Sequence, residues 1–282
     1  MSSKDPYPCR VIPLICIDVD GTLVSSTGVV TSGVWEAVDR ALDRGQHLAL
    51  STARGAFAAS WDMAIRLDPS GWHVFHAGGA TVHTGTSEAR GHALSPSQVT
   101  EAMRIAAENG WTLELYSADA YAVEDETEAA VEHAGLMGLP YIRTPLADFA
   151  AANELIVRVQ FVVPETHIAA VSNAMTPLGL SVTSATSPIM PGTAFVSATQ
   201  TGITKATGIE AICVELGLTI DQVMMIGDGL NDLPAIEAVG HPVAMGNAAP
   251  EVAALARYHV AHVDDDGVAE ALDRSADIDP LS

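Results

Sequence analysis

The chain has 282 residues, 48% of them hydrophobic and 17% charged, enough apolar material for one large domain or two modest ones and too much for a disordered polypeptide. Its 35 acidic residues against 13 basic ones give a formal charge of −22, a long-range field that repels phosphate backbones and anionic lipid. Nucleic acid and membrane surfaces are therefore not expected partners, and no apolar run approaches the ~20 residues of a bilayer span.

Residues 1–10 are polar and lack the apolar stretch of a signal peptide. Cys9, Cys16 and Cys213 show no CxxC spacing and read as free thiols, so a reducing compartment, the cytoplasm, is expected. Residues 11–17 form a nearly unbroken apolar run, as in a strand covered on both faces. A helix is predicted over 32–44, with Val34, Val38, Ala41 and Leu42 as its apolar stripe and Gly45 as its stop. Strands at 47–50 and 72–76 bracket a helix at 56–67, an alternation that predicts βαβ units and a parallel sheet.

The rhythm changes near Thr81. Extended segments are expected at 80–84, 111–116, 121–123, 155–163 and 181–186. Helices are expected at 95–109, opened by Ser95 and Pro96, and at 126–137 and 166–176. The alternation of strand and helix then returns, with a helix at 205–216, a buried strand at 223–226, a helix at 232–239, a strand at 242–245 and a helix at 251–257. The expected fold class is α/β: a doubly wound, Rossmann-like parallel-sheet core from 1–82 and 200–282, interrupted by an α+β insert at 83–199.

Four segments carry chemistry, and the strands predicted before them matter as much as their letters. Asp18-Val19-Asp20-Gly21-Thr22 follows the first strand, placing two carboxylates where open α/β sheets bind ligands. Ser51-Thr52-Ala53-Arg54 follows the second, and its hydroxyls and guanidinium suit a phosphoryl oxygen. Lys205 is one of only two lysines, the other being Lys4, and stands at a helix start against the macrodipole. Gly227-Asp228-Gly229-Leu230-Asn231-Asp232 follows the strand at 223–226. The oxygen donors of Asp18, Asp20 and Asp228 match Mg²⁺. Asp264, Asp265 and Asp266 read instead as a solvated loop before the last helix.

In order, spacing and strand context, these segments resemble the four motifs of the haloacid dehalogenase-like phosphatases. The long insert resembles the C2B cap of the Cof-type subfamily, as do Gly246-Asn247-Ala248 and the strand–helix ending. The resemblance implies that Asp18 attacks phosphorus and that Asp20 serves as general acid and then base. It implies that Thr52 holds the phosphoryl group, with Gly21, Thr22, Arg54 and Asn231 beside it, and that Lys205 neutralises it. Asp18, Asp20, Asp228 and Asp232 would serve Mg²⁺. Two positions depart from the family pattern: Ala53 replaces a common Gly, and Gly78-Gly79-Ala80 stands where Asn-Gly-Ala is frequent. The implied activity is hydrolysis of a small phosphorylated metabolite such as a sugar phosphate. A phosphotransferase or mutase of the same chemistry, and a non-catalytic phosphometabolite-binding regulator, are the alternatives. Arg90, Arg104, Arg143 and Arg158 are the cations the insert offers to a substrate.

Overall fold

The computed structural model describes residues 11–280. Contacts divide them into two compact units, one of residues 11–54, 62–88 and 204–280, the other of residues 55–61 and 89–203.

The first unit is built on five parallel strands in the order Tyr258–His259, His241–Ala244, Val223–Gly227, Leu14–Ile17 and His47–Leu50. Strand Leu14–Ile17 is flanked on both sides, and every residue of it is buried, which is why its sequence is apolar throughout rather than alternating. Its even residues, Leu14 and Cys16, join Met225, Ile209, Ile212 and Ile236 in one core, under helices Lys205–Leu216 and Leu233–Ala238. Helix Ser32–Asp43 and helix Gly267–Arg274 pack on each other. The expected stripe holds for Val34, Val38 and Ala41; Ala37 takes the fourth buried position and Leu42 is only half-buried. The predicted strand at 11–17 begins three residues late, at Leu14, after Pro13.

Strand Trp72–Phe75 continues the sheet through a parallel bridge between Ser51 and Val74, and turns back antiparallel on Ala80–His83. His73 fastens this edge. Its Nδ1 accepts the Leu50 N–H at 3.0 Å, which leaves Nε2 to carry the proton and donate to the Asp68 carbonyl at 3.1 Å. Burial of the ring pushes its pKa from 6.5 down to about 4. The unfolded chain therefore binds a proton that the folded chain refuses between those values. Stability from this residue is complete above pH 6.5 and is lost as the pH falls to 4, by about 3 kcal/mol. Urea denaturation at pH 7 and pH 4.5 should show this loss, and His73→Gln should shrink the difference between the two pH values.

The second unit is a six-stranded sheet ordered Leu180–Ser187, Met190–Gln200, Arg158–Pro164, Thr112–Tyr116, Tyr121–Val123 and Ile142–Arg143; the last pair is parallel, the others antiparallel. Helices Pro96–Asn109, Leu146–Ala152 and Ile168–Met175 contribute to its apolar core, with Leu113, Leu115, Val159, Phe161 and Val196. Ser95 caps the first of these helices in a capping box with Gln98, as the Ser-Pro start predicts. The eleven-residue strand Met190–Gln200 is absent from the sequence reading. Its inward residues Ala194, Val196 and Ala198 are small, so hydropathy alternates weakly, and Pro191-Gly192 imitates a turn. Helix Leu146–Ala152 was also unpredicted.

Candidate active site

Strands Leu14–Ile17, His47–Leu50 and Val223–Gly227 end together, and the predicted acids stand on the loops after the first and the last of them. The backbone leaves Ile17 with the Asp18 N–H donating to the Ile226 carbonyl at 3.0 Å, so the two acidic loops start in register. Gly21 then turns with φ +82°, and a Cβ there would lie 2.3 Å from an Asp228 carboxylate oxygen. Only glycine satisfies both the backbone angle and that approach.

Lys205 is the centre of the arrangement. Its side chain is fully buried, with Nζ 2.5 Å from Asp18 Oδ1 and 2.5 Å from Asp232 Oδ1. Scarcity and a helix-start position singled this lysine out in the sequence, and the order of the neighbouring motifs assigned it to the site. Its position is set from behind by Gly78, at φ +102°, where a Cβ would fall 1.9 Å from the carbonyl of Thr204. A residue without a Cβ at this position thus admits the start of the lysine's helix.

Asp232 Oδ2 accepts the N–H groups of Asp228 and Gly229 at 3.1 and 3.0 Å, which holds the acidic loop closed. Thr22 donates its hydroxyl to Asp228 Oδ1 at 2.8 Å. Asn247 donates to the Gly21 carbonyl at 2.7 Å and to Asp228 Oδ2 at 3.3 Å, while its own Oδ1 accepts the Val263 N–H. Asn247 was not among the candidate residues. The signal was present, since Gly246-Asn247-Ala248 follows the strand His241–Ala244 after the single residue Met245.

Carboxylate oxygens of Asp18, Asp228 and Asp232 lie within 4.8 Å of one another. Burial first, and the neighbouring Asp232 second, push the Asp18 carboxyl from 3.8 up to about 7, although the Lys205 ammonium and the Val19 N–H oppose them. Asp228 is raised too, by burial, against the hydroxyl of Thr22. Burial alone would lower the pKa of Lys205, but Asp18 and Asp232 outweigh it and raise the pKa. Three acids face one ammonium. A site so short of positive charge, with hard oxygen donors, fits a divalent cation such as Mg²⁺.

The remaining candidates stand further out. Asp20 is exposed and its carboxylate is not part of the cluster; it accepts two hydrogen bonds from Arg54, at 2.5 and 3.1 Å. Arg54 therefore contacts the second aspartate. Thr52 is buried, and its Oγ1 accepts the Arg54 N–H at 3.1 Å, which leaves the hydroxyl proton for another acceptor. Ser51 Oγ is buried with no hydrogen-bond partner among the described residues. Asn231 is exposed. In the 264–266 loop Asp264 and Asp265 are exposed; Asp264 accepts the Ser26 N–H and the half-buried Asp266 accepts the Thr31 hydroxyl, so two of those acids also tie down loops.

The model of the haloacid dehalogenase-like hydrolases matches residues 15–272, more than half of the chain. The chain is a haloacid dehalogenase-like hydrolase. A provisionally named phosphatase of Streptococcus pyogenes serotype M6 is 26% identical to this hydrolase over 268 residues, 93% of this chain and 97% of its own. BT1666 of Bacteroides thetaiotaomicron, a phosphatase of the same superfamily, is 26% identical with a TM-score of 0.76, covering 99% of this chain and 100% of that one. The subclass IIB sugar phosphatase BT4131 shares the fold at 23% identity and TM-score 0.72, over 93% of this chain and 98% of its own. The hydrolase is thus of the Cof type, and the expected fold class and phosphatase class are borne out. Among the described residues no helix is long and apolar enough to cross a membrane.

Proposed function

We propose that the chain is a Mg²⁺-dependent phosphatase that hydrolyses a small phosphorylated metabolite, a sugar phosphate, through an aspartyl-phosphate intermediate. The observation that carries this reading is the fully buried Lys205 ammonium held between Asp18 and Asp232 at the carboxyl edge of the sheet. A buried ion triad of this kind is costly as mere structure, because desolvation offsets the Coulomb gain.

In this mechanism a carboxylate oxygen of Asp18 attacks phosphorus, the P–O bond to the leaving group breaks, and Asp20 protonates the departing oxygen. Asp20, now a carboxylate, takes a proton from water; the hydroxyl oxygen attacks the aspartyl phosphate, and inorganic phosphate leaves with Asp18 regenerated. Lys205 neutralises charge on the Asp18 side, and the Thr52 hydroxyl donates to a phosphoryl oxygen, with the Gly21–Thr22 turn and Asn231 beside it. Arg54 orients Asp20. Asp18, Asp228 and Asp232 would hold a divalent ion, which would supply further neutralisation of negative charge. Asp20 is left to the proton transfers.

The test is phosphate release from a panel of sugar phosphates and p-nitrophenyl phosphate. Turnover should appear with Mg²⁺, vanish with EDTA and return when Mg²⁺ is restored. No release from any ester overturns the reading, and label transferred to a sugar acceptor instead of water converts it to a phosphotransferase.

A further inference from the structure

Charge is spread unevenly along this acidic chain. A run of 37 residues, from Ile168 to Thr204, contains no Asp, Glu, Lys, Arg or His, where the chain's 17% of charged residues would place about six. The run builds one end of the six-stranded sheet: helix Ile168–Met175 and the strands Leu180–Ser187 and Met190–Gln200 on which it packs.

Strand Leu180–Ser187 is the outermost of that sheet. Met190–Gln200 pairs with it on one side, and no other described segment hydrogen-bonds its backbone. Every second residue of an edge strand turns its N–H and C=O away from the neighbouring strand, so the outer row of this one has no partner within the described residues. The pairing is regular from Leu180 to Thr186, and its irregularity lies at the tip, between Thr186 and Ser187. Leu180 and Val182 pack on the apolar core, whereas Thr183, Ser184, Ala185 and Thr186 are exposed.

Folded proteins ordinarily guard such an edge with a lysine, a proline or a bulge in its middle. Residues 180–186 have none of these. They are instead Leu, Ser, Val, Thr and Ala, with β-branched side chains at 182, 183 and 186 that suit a further strand alongside. Ile189, 69% exposed two residues beyond the strand, adds apolar surface at the hairpin tip.

The charge of −22 decides what can occupy the edge. Two copies of the chain repel one another wherever their acidic surfaces meet, and this end of the sheet adds nothing to that repulsion. A basic partner would find its complement on the acidic remainder of the surface rather than here. A strand can also pair with an antiparallel copy of itself about a two-fold axis, which makes the contact self-complementary.

We propose that strand Leu180–Ser187 is a homodimer interface that joins the six-stranded sheets of two copies edge to edge. Pairing centred on Ser184 sets that residue opposite its own counterpart, Val182 opposite Thr186 and Thr183 opposite Ala185. In this register the core-facing residues of both sheets stay on the same side.

Sedimentation equilibrium of the full chain, from about 1 to 500 μM, tests the proposal. The wild type should pass from monomer to dimer over that range. Raising NaCl from about 20 to 200 mM should tighten the association, because salt screens the repulsion between the two acidic bodies. S184K and S184E alter an exposed residue, so both should fold like the wild type. Each should weaken the dimer at least about 10-fold, since like charges are then set directly opposite one another. An equal mixture of the two should recover it, with Lys facing Glu. V214K changes the 78% exposed Val214 in the other compact unit and should dimerise like the wild type. A wild type that stays monomeric throughout overturns the proposal. So does a dimer that survives both S184K and S184E, one that V214K dissolves, or one that salt weakens. Loss of the dimer in both single variants without recovery in their mixture overturns the two-fold pairing at Ser184.

Discussion

Asp18→Asn should release phosphate at no more than about 10⁻⁴ of the wild-type rate while folding like the wild type. The amide matches the carboxylate in shape but has no anionic oxygen to form the proposed acyl phosphate, so under that mechanism the covalent route closes altogether. What remains is the positioning and charge neutralisation offered by Lys205 and Thr52, which accelerate attack by water only weakly. A phosphate-release assay that finds more than a tenth of wild-type activity would remove Asp18 as the nucleophile.

The same substitution has a stability signature that a surface aspartate lacks. The Asp18 carboxyl is raised from 3.8 to about 7, chiefly by burial and then by Asp232. A group raised on folding favours the folded state below its unfolded value, and that contribution is lost as the pH climbs through its folded value. In EDTA, the wild type should therefore lose stability between about pH 4 and pH 7 relative to Asp18→Asn. Denaturation curves of the two proteins at pH 5 and pH 8 read this directly. Lys205 keeps Asp232 in the variant, so no buried charge is orphaned.

The reasons for success and failure in reading this sequence are physical. The parallel core was legible because strands covered on both faces are written as unbroken apolar runs, and because Asp18, Asp20, Asp228 and Asp232 follow two of them. Lys205 was legible by scarcity joined to its helix-start position and its place in the motif order. The insert was harder, since a half-covered antiparallel strand such as Met190–Gln200 signals itself by alternation, and alternation fades when the inward residues are alanines. Arg54 was assigned to a phosphoryl oxygen from its guanidinium beside a helix start, and the structure adds its contact with Asp20; a sequence carries no information on which nearby carboxylate a flexible guanidinium meets. Asn247 was missed because its partners, Gly21 and Asp228, lie far away in the chain and meet it only after three strands have aligned.

Lys205→Met separates the proposed catalytic role of the ammonium from its structural one. Methionine keeps most of the apolar stem, so the loss is mainly of charge. Two carboxylates, Asp18 and Asp232, then remain near one another without the ammonium that lay 2.5 Å from each. Removing one partner of a buried ion pair costs about 3–5 kcal/mol, because the remaining charges cannot recover their hydration. The variant can relieve this by binding a proton, so both its stability deficit and the sign of its pH dependence are fixed in advance. With EDTA present it should be close to wild type near pH 5 and fall away as the pH rises through neutrality. Added Mg²⁺ should recover part of the loss at pH 8, since a cation beside Asp18 and Asp232 replaces some of the missing positive charge. Turnover should nevertheless stay depressed by about 10³-fold or more, because charge restored on the metal side does not neutralise the side where Lys205 stood. Equal stability of variant and wild type at pH 8 in EDTA would mean that the lysine is not compensating those acids.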